Sequence, residues 1–208
     1  MRRATIEPMP AALHPETIRV PDSVRFPIEL DPPEGFHPED PATWPDVEGR
    51  LEWVEGRLLY MPPCGDGQQV VAASSVGVLW IWAREHREFV IGGNEAGMLL
   101  GRDVRGAEAG VWRREDRGPL TGGYVRVPPI LAVEVAGREE GEAELQAKAR
   151  WYLERGVQLV WVVLPKTREV VVLRAGGEER YRPGDRIAAH AALPDLQPAV
   201  ADFFEQLD

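Results

Sequence analysis

Apolar and polar residues first alternate with the short period of strands. Residues 51–54 and 57–61 flank a Glu55-Gly56 turn, and this pattern is typical of a β-hairpin. Residues 68–88 follow, with good helix formers around an apolar block at 76–82 that by itself could equally be a buried strand. The length of the segment and its polar end favour a helix, and Asp66 is a candidate N-cap.

Three strands are predicted next, followed by a helix and two further strands. The helix, residues 139–155, is acidic at its start and basic towards its end, which suits the helix dipole, and Gly156 is a natural terminator. The last strand before it carries a nearly continuous apolar run, as expected of a central strand. The predicted strands are residues 89–100 with an interruption at 92–94, then 107–112, 129–135, 157–164 and 168–173.

Prolines dominate the first 45 residues and exclude any long helix there. We therefore predict an extended N-terminal arm over residues 1–45, which adds an edge strand at residues 24–30 or packs on a partner subunit. The main domain is predicted over residues 46–208.

Composition narrows the class of protein. The longest apolar run is much shorter than the roughly 20 residues needed to cross a bilayer, and the N-terminus lacks a compact apolar signal region. The single cysteine, Cys64, cannot form an internal disulfide, so we expect a cytoplasmic protein with no membrane partner. A net charge of −10 opposes long-range attraction to nucleic acid, so any such binding must be local and metal-assisted.

Two carboxylates and one lysine form the candidate chemistry. The order of elements places Glu108 and Glu134 on consecutive strands and Lys148 on the following helix. Carboxylates held close together need a neutralising cation, and oxygen ligands suit Mg²⁺ or Mn²⁺. Such an ion with a nearby ammonium group would serve phosphodiester hydrolysis.

Each of these residues also has an ordinary structural interpretation. Glu108 could be an exposed strand residue, and Lys148 could pair with Glu144 one helical turn away. The possible accessory residues are Glu52 and Glu95, for which surface positions are expected, Gln68, which could orient water or a ligand, and Tyr152, expected in the core with its hydroxyl satisfied.

The order and spacing of several short motifs resemble the Uma family of restriction endonucleases within the PD-(D/E)XK nuclease superfamily. The similarity extends over roughly residues 45–205. It implies an α/β fold with a restriction-endonuclease-like αβββαβ core and a mixed central sheet, metal ligands at Glu108 and Glu134, and a catalytic lysine moved to the helix at Lys148. The motifs are Leu51-Glu52-Trp53-Val54-Glu55-Gly56-Arg57-Leu58, Met61-Pro62-Pro63, Glu95-Ala96-Gly97, Val104-Arg105, Glu108-Ala109-Gly110-Val111, Pro129-Ile130-Leu131-Ala132-Val133-Glu134-Val135, Glu144-Leu145-Gln146-Ala147-Lys148, Tyr152 and Gly156-Val157.

The sequence departs from the family pattern at three places. Glu108 follows Ala107 where the family has a proline and an aspartate, no lysine lies two positions after Glu134, and Gln68 lies in the region where the family often has a histidine. These departures keep two hypotheses open: a metal-dependent endonuclease acting on DNA, and a non-catalytic interaction or nucleic-acid-binding module on the same fold.

A homodimer is also expected. Trp80 and Trp82 could pack the first helix or form a dimer contact, and the proline-rich arm offers further apolar surface. A dimeric scaffold protein is therefore a third hypothesis.

Overall fold

The computed structural model describes residues 25–137 and 140–208. Residues 1–24, which make up most of the predicted arm, lie outside them. Strand β1 (Ile28–Leu30) pairs antiparallel with β3 (Arg57–Met61), so the strand predicted at residues 24–30 is present as a shorter segment. The division of the chain at residue 45 stays a prediction.

Within the described residues, nine strands form one sheet and two long helices pack on it. A short helical turn, α2, follows the fifth strand, and 3-10 turns lie at Pro41–Thr43, Val200–Phe203 and Glu205–Leu207. The remaining elements are β2 (Arg50–Val54), α1 (Asp66–Glu85), β4 (Phe89–Leu100), β5 (Asp103–Arg113), α2 (Arg114–Arg117), β6 (Leu131–Val135), α3 (Glu142–Glu154), β7 (Leu159–Leu164), β8 (Glu169–Arg174) and β9 (Gly177–Tyr181).

The sheet is mixed and mostly antiparallel. Its strands follow the order β1-β3-β2-β5-β6-β7-β8-β9, while β4 pairs with β5. Strands β6 and β7 are parallel and are connected through α3, and the other described pairs are antiparallel. The predicted order of helix, three strands, helix and strand is present as α1, β4, β5, β6, α3 and β7.

Local predictions are confirmed at most element ends. The hairpin turns through Glu55 and Gly56, both with positive φ. Gly156, with φ of 94°, follows α3 as predicted. The N-cap prediction is wrong: Gly65 caps α1, and Asp66 is its first residue, with a carboxylate that accepts from the Gly67 amide at 2.7 Å.

Hydrophobic side chains fill both faces of the sheet. Val133 and Val135 of β6 belong to the cluster that contains α1 residues, whereas Ala132 belongs to the cluster with α3. Because side chains alternate along a strand, Glu134 points to the α3 side. None of the helices in the described part of the chain combines the length and apolar character needed to cross a membrane.

Candidate active site

The site lies at β5, where β2 and β6 pair with different parts of the same edge. Strand β4 pairs along one edge of β5, while the other edge pairs with β2 at Val104 and with β6 at residues 109–111. Between these two pairings lies a gap, here called the fork, in which residues 105–108 of β5 form no backbone pairing with β2 or β6. Within the fork, the Gly106 amide donates to the Glu52 carboxylate, and the Gly106 carbonyl accepts from Lys148 and Tyr152.

Glu134 is the centre of a buried network. Its side chain is almost completely buried, and Lys148 Nζ lies 2.9 Å from its Oε2. The Tyr152 hydroxyl lies 2.8 Å from Oε1 and 3.1 Å from the Gly106 carbonyl oxygen, which also accepts from Lys148 at 2.9 Å. Residues 148 and 152 are one helical turn apart, so α3 presents both to the same carboxylate. Burial, followed by the charge of Glu134, raises the pKa of Tyr152 well above its ordinary value.

Glu52 adds a second buried carboxylate from β2. Lys148 Nζ lies 3.1 Å from its Oε1, and Arg105 Nε lies 2.8 Å from its Oε2. Burial alone would raise the pKa of Glu52, but the charges of Lys148, Arg105 and Arg50 lower it to about 2. The surface position expected for Glu52 is wrong, because this residue is only 1% exposed. The pairing of Lys148 with Glu144 is not formed either, since Lys148 pairs with Glu134 and Glu52 and Glu144 accepts from the Gly141 amide at the start of α3.

Glu108 lies opposite Glu134 across the β5–β6 pair. Ala109 pairs with Val133, so the next residues of the two antiparallel strands, Glu108 and Glu134, are opposite each other. Directly opposed residues point to the same face of a sheet. Glu108 is buried, and burial together with the charge of Glu134 raises its pKa. The folded protein therefore favours the protonated form of Glu108, first because the carboxyl is buried and then because Glu134 lies close by.

Gln68, at the start of α1, connects Glu108 with β6. Its side-chain nitrogen lies 3.1 Å from Glu108 Oε1 and 3.1 Å from the carbonyl oxygen of Val135. Two oxygens, one from a carboxylate and one from the backbone, therefore converge on a single donor.

Arg50 of β2 lies near the carboxylates of Glu108 and Glu95. Its Nη1 lies 3.7 Å from Glu108 Oε1 and 3.9 Å from Glu95 Oε1. Glu95 is exposed, as expected, and lies at a bulge of β4 where the register shifts between Gly93 and Ala96.

The structure brings together the predicted residues Glu52, Glu108, Glu134, Lys148 and Tyr152, with Gln68 and Glu95 at their edges. The sequence interpretation missed Arg50, Arg105 and the Gly106 carbonyl. One pattern could have revealed Arg50: it precedes Glu52 by two residues, so both side chains fall on one face of a strand.

Carboxylates outnumber cations around the fork among the described residues. In the described part of the chain, the carboxylates around the fork are Glu52, Glu95, Glu108, Glu134 and Glu140, and the cations are Arg50, Arg105 and Lys148. Residues 25–137 and 140–208 contain no group of three His, Cys, Asp or Glu side chains arranged around a metal position. Mg²⁺ nevertheless commonly uses one or two carboxylates and completes its shell with water, and the Val135 carbonyl is a further oxygen beside Glu108.

The chain is a mixed α/β protein with a mostly antiparallel sheet. A crystal structure from Anabaena variabilis ATCC 29413, described as "a putative nuclease belonging to DUF820", has the same fold with a TM-score of 0.70 and 17% sequence identity; the match covers 80% of this chain and 96% of that one. Residues 38–201 match the family model Uma2, described as "Putative restriction endonuclease", and the chain belongs to this family. No protein with a curated description matches the sequence significantly.

Proposed function

We propose that this protein is a metal-dependent endonuclease that hydrolyses phosphodiester bonds, with DNA as its substrate. Glu108 and Glu134 would hold Mg²⁺ or Mn²⁺, and Lys148 would act on the phosphoryl group. The observation that carries the proposal is the ammonium group of Lys148, 2.9 Å from the carboxylate of Glu134, which lies opposite a second buried carboxylate, Glu108.

The bound ion would polarise the phosphodiester and lower the pKa of the attacking water. Lys148 supplies a positive charge that offsets the charge growing on the phosphoryl oxygens. Glu52 and the Gly106 carbonyl hold that ammonium group at 3.1 Å and 2.9 Å, which fixes its position beside Glu134. Tyr152 orients the other oxygen of Glu134, and Gln68 orients Glu108.

The identity of the substrate rests on the family. The family model is described as "Putative restriction endonuclease". Restriction endonucleases act on DNA. The net charge of −10 means that the chain as a whole does not attract a polyphosphate, so we expect binding to depend on the metal and on the positive groups at the fork.

The test combines metal binding with cleavage on the same samples. Mn²⁺ is titrated calorimetrically into the wild type, Glu134→Gln and Glu108→Gln, and supercoiled plasmid is incubated with each protein in Mg²⁺, Mn²⁺ or EDTA. We expect saturable binding and metal-dependent nicking by the wild type. Both should be lost in Glu134→Gln and Glu108→Gln, with cleavage reduced by about 100-fold or more.

Glu154→Gln is the matched control, because Glu154 also lies on α3 but its side chain is 74% exposed. This variant should bind and cleave like the wild type. A folded wild type that neither binds Mn²⁺ at millimolar concentration nor nicks DNA would refute the nuclease and favour the non-catalytic interaction module.

A further inference from the structure

Arg50 is the least well anchored cation of the site. Its side chain is only 13% exposed, yet its ion-pair distances, 3.7 Å to Glu108, 3.8 Å to Glu52 and 3.9 Å to Glu95, all exceed hydrogen-bonding distance. Its Nε is buried and has no hydrogen-bond partner among the described residues. Arg105 differs, since its Nε lies 2.8 Å from Glu52.

A buried donor without an acceptor costs free energy that a well-packed structure normally avoids. The attraction of several carboxylates opposes this cost, and their charges raise the pKa of Arg50 although burial acts in the opposite direction. The guanidinium is therefore placed here by the local negative charge rather than by directed hydrogen bonds.

We propose that Arg50 is an internal cation that competes with the divalent ion for the face of Glu108. This inference rests on the proposed function, since it concerns the same metal position. Arg50 would neutralise Glu108 while the ion is absent, and its guanidinium would withdraw when the ion binds.

Competition follows from charge. A divalent ion beside Glu108 would lie next to a guanidinium that is already 3.7 Å from that carboxylate, and like charges at such distances repel strongly in a partly buried site. Without Arg50, the same carboxylates would face only Arg105 and Lys148, so the site would attract a dication more strongly.

The fold gives the guanidinium somewhere to move. A cavity of about 260 Å³ adjoins the site, and its wall includes Arg50, Glu95 and Gly106 on the side of the fork. Trp44 and Tyr124 form part of the wall as well, and aromatic faces can accept a cation.

The experiment measures Mn²⁺ affinity by calorimetry, without reference to cleavage. Arg50→Gln removes the charge and keeps an amide, Arg50→Lys keeps the charge, and Arg57→Gln is the control on the neighbouring strand β3, where the arginine is 49% exposed. We expect Arg50→Gln to bind Mn²⁺ at least about tenfold more tightly than the wild type. Arg50→Lys and Arg57→Gln should stay within about twofold of it.

A rescue experiment makes the result specific to the guanidinium. Arg50→Ala should also bind Mn²⁺ more tightly, and millimolar methylguanidinium should weaken its binding towards the wild-type value while leaving the wild type unchanged. Near-UV circular dichroism tests whether each variant is folded. If either Arg50→Ala or Arg50→Gln does not fold, the other neutral variant carries the test.

The outcomes separate this inference from the proposed function. Equal or weaker binding by the folded neutral variants, with saturable binding by the wild type, would overturn the competition and leave the nuclease proposal in place. Tight binding by Arg50→Gln beside a wild type that does not bind would support the competition in its strongest form. Absence of Mn²⁺ binding in the wild type and in both neutral variants would remove the metal site, and both proposals with it.

Discussion

Lys148 has two buried carboxylates and a backbone carbonyl as partners, and this makes it a structural residue as well as a proposed catalytic one. Replacing it with methionine leaves Glu52 and Glu134 buried with less positive charge around them. We expect Lys148→Met to lower the free energy of unfolding by about 3 to 5 kcal/mol, the usual cost of breaking a buried ion pair. Arg150→Met, on the exposed side of α3, is the control and should change stability by less than about 0.5 kcal/mol in urea denaturation.

Glu108 should have the opposite effect on stability, because its charge destabilises the fold. Because its pKa is raised in the folded protein, the folded state binds the proton more tightly than the unfolded state, and ionisation of Glu108 destabilises the fold above that pKa. Glu108→Gln should therefore be more stable than the wild type by about 1 kcal/mol at pH 7 to 8, although inactive. The advantage should disappear as the pH falls below about 4.5, the ordinary value. Thermal unfolding of both proteins across pH 4 to 8 measures this; a constant difference would contradict it.

The sequence identifies some site residues and conceals others for physical reasons. Glu134 interrupts an apolar strand, so the local sequence is enough to single it out. Lys148 was assigned through the family resemblance, because its local sequence equally allows a pairing with Glu144. Tyr152 follows it by one helical turn. Glu52 belongs to a hairpin that could have been half exposed, and its burial depends on Lys148 and Arg105, which are remote in sequence. Ion pairs between distant segments leave no periodic pattern in either segment.

At the scale of elements, strand β5 requires a glycine at position 110, where it pairs with both β4 and β6. A Cβ on Gly110 would lie 2.3 Å from the ring of the buried Trp112, so Gly110→Ala forces that indole to shift. We expect a loss of about 2 to 3 kcal/mol in the free energy of unfolding, typical of an overpacked core. A Cβ on Gly77 of α1 would meet nothing within 4 Å, and Gly77→Ala should stabilise by about 0.5 to 1 kcal/mol. Urea denaturation of both variants tests the contrast, which an equal loss in the two would contradict.

The predicted elements with strong periodic or apolar patterns are all present in the structure. Strand β6 and helix α3 lie within a residue or a few residues of the predicted ranges. Strand β9 was not predicted, because Gly177–Tyr181 is mostly charged and exposed. An edge strand of this kind lacks the alternation of apolar and polar residues by which a strand is recognised. The bulge in β4 accounts for the glycine interruption in the sequence of that strand.

For the whole molecule, the homodimer stays a prediction. Trp80 and Ile81 of α1 are 61% and 69% exposed, so α1 presents adjacent apolar side chains to solvent. We expect light scattering to give the mass of a dimer at micromolar concentration and that of a monomer for the double variant Trp80→Glu, Ile81→Glu. Replacement of the exposed Leu120 by glutamate is the control, and a monomeric wild type would contradict the prediction.

The fork at β5 also constrains how a descendant of this protein could lose the proposed activity. Substitutions at Glu134 or Lys148 remove one member of a buried, mutually neutralising set and endanger folding, so selection for a stable protein would resist them. A change at Glu108 removes charge that the fold tolerates only at a cost. If the proposed activity is lost while the fold is kept, we therefore expect the carboxylate at Glu108 to be replaced first and the Glu134–Lys148 pair to be retained.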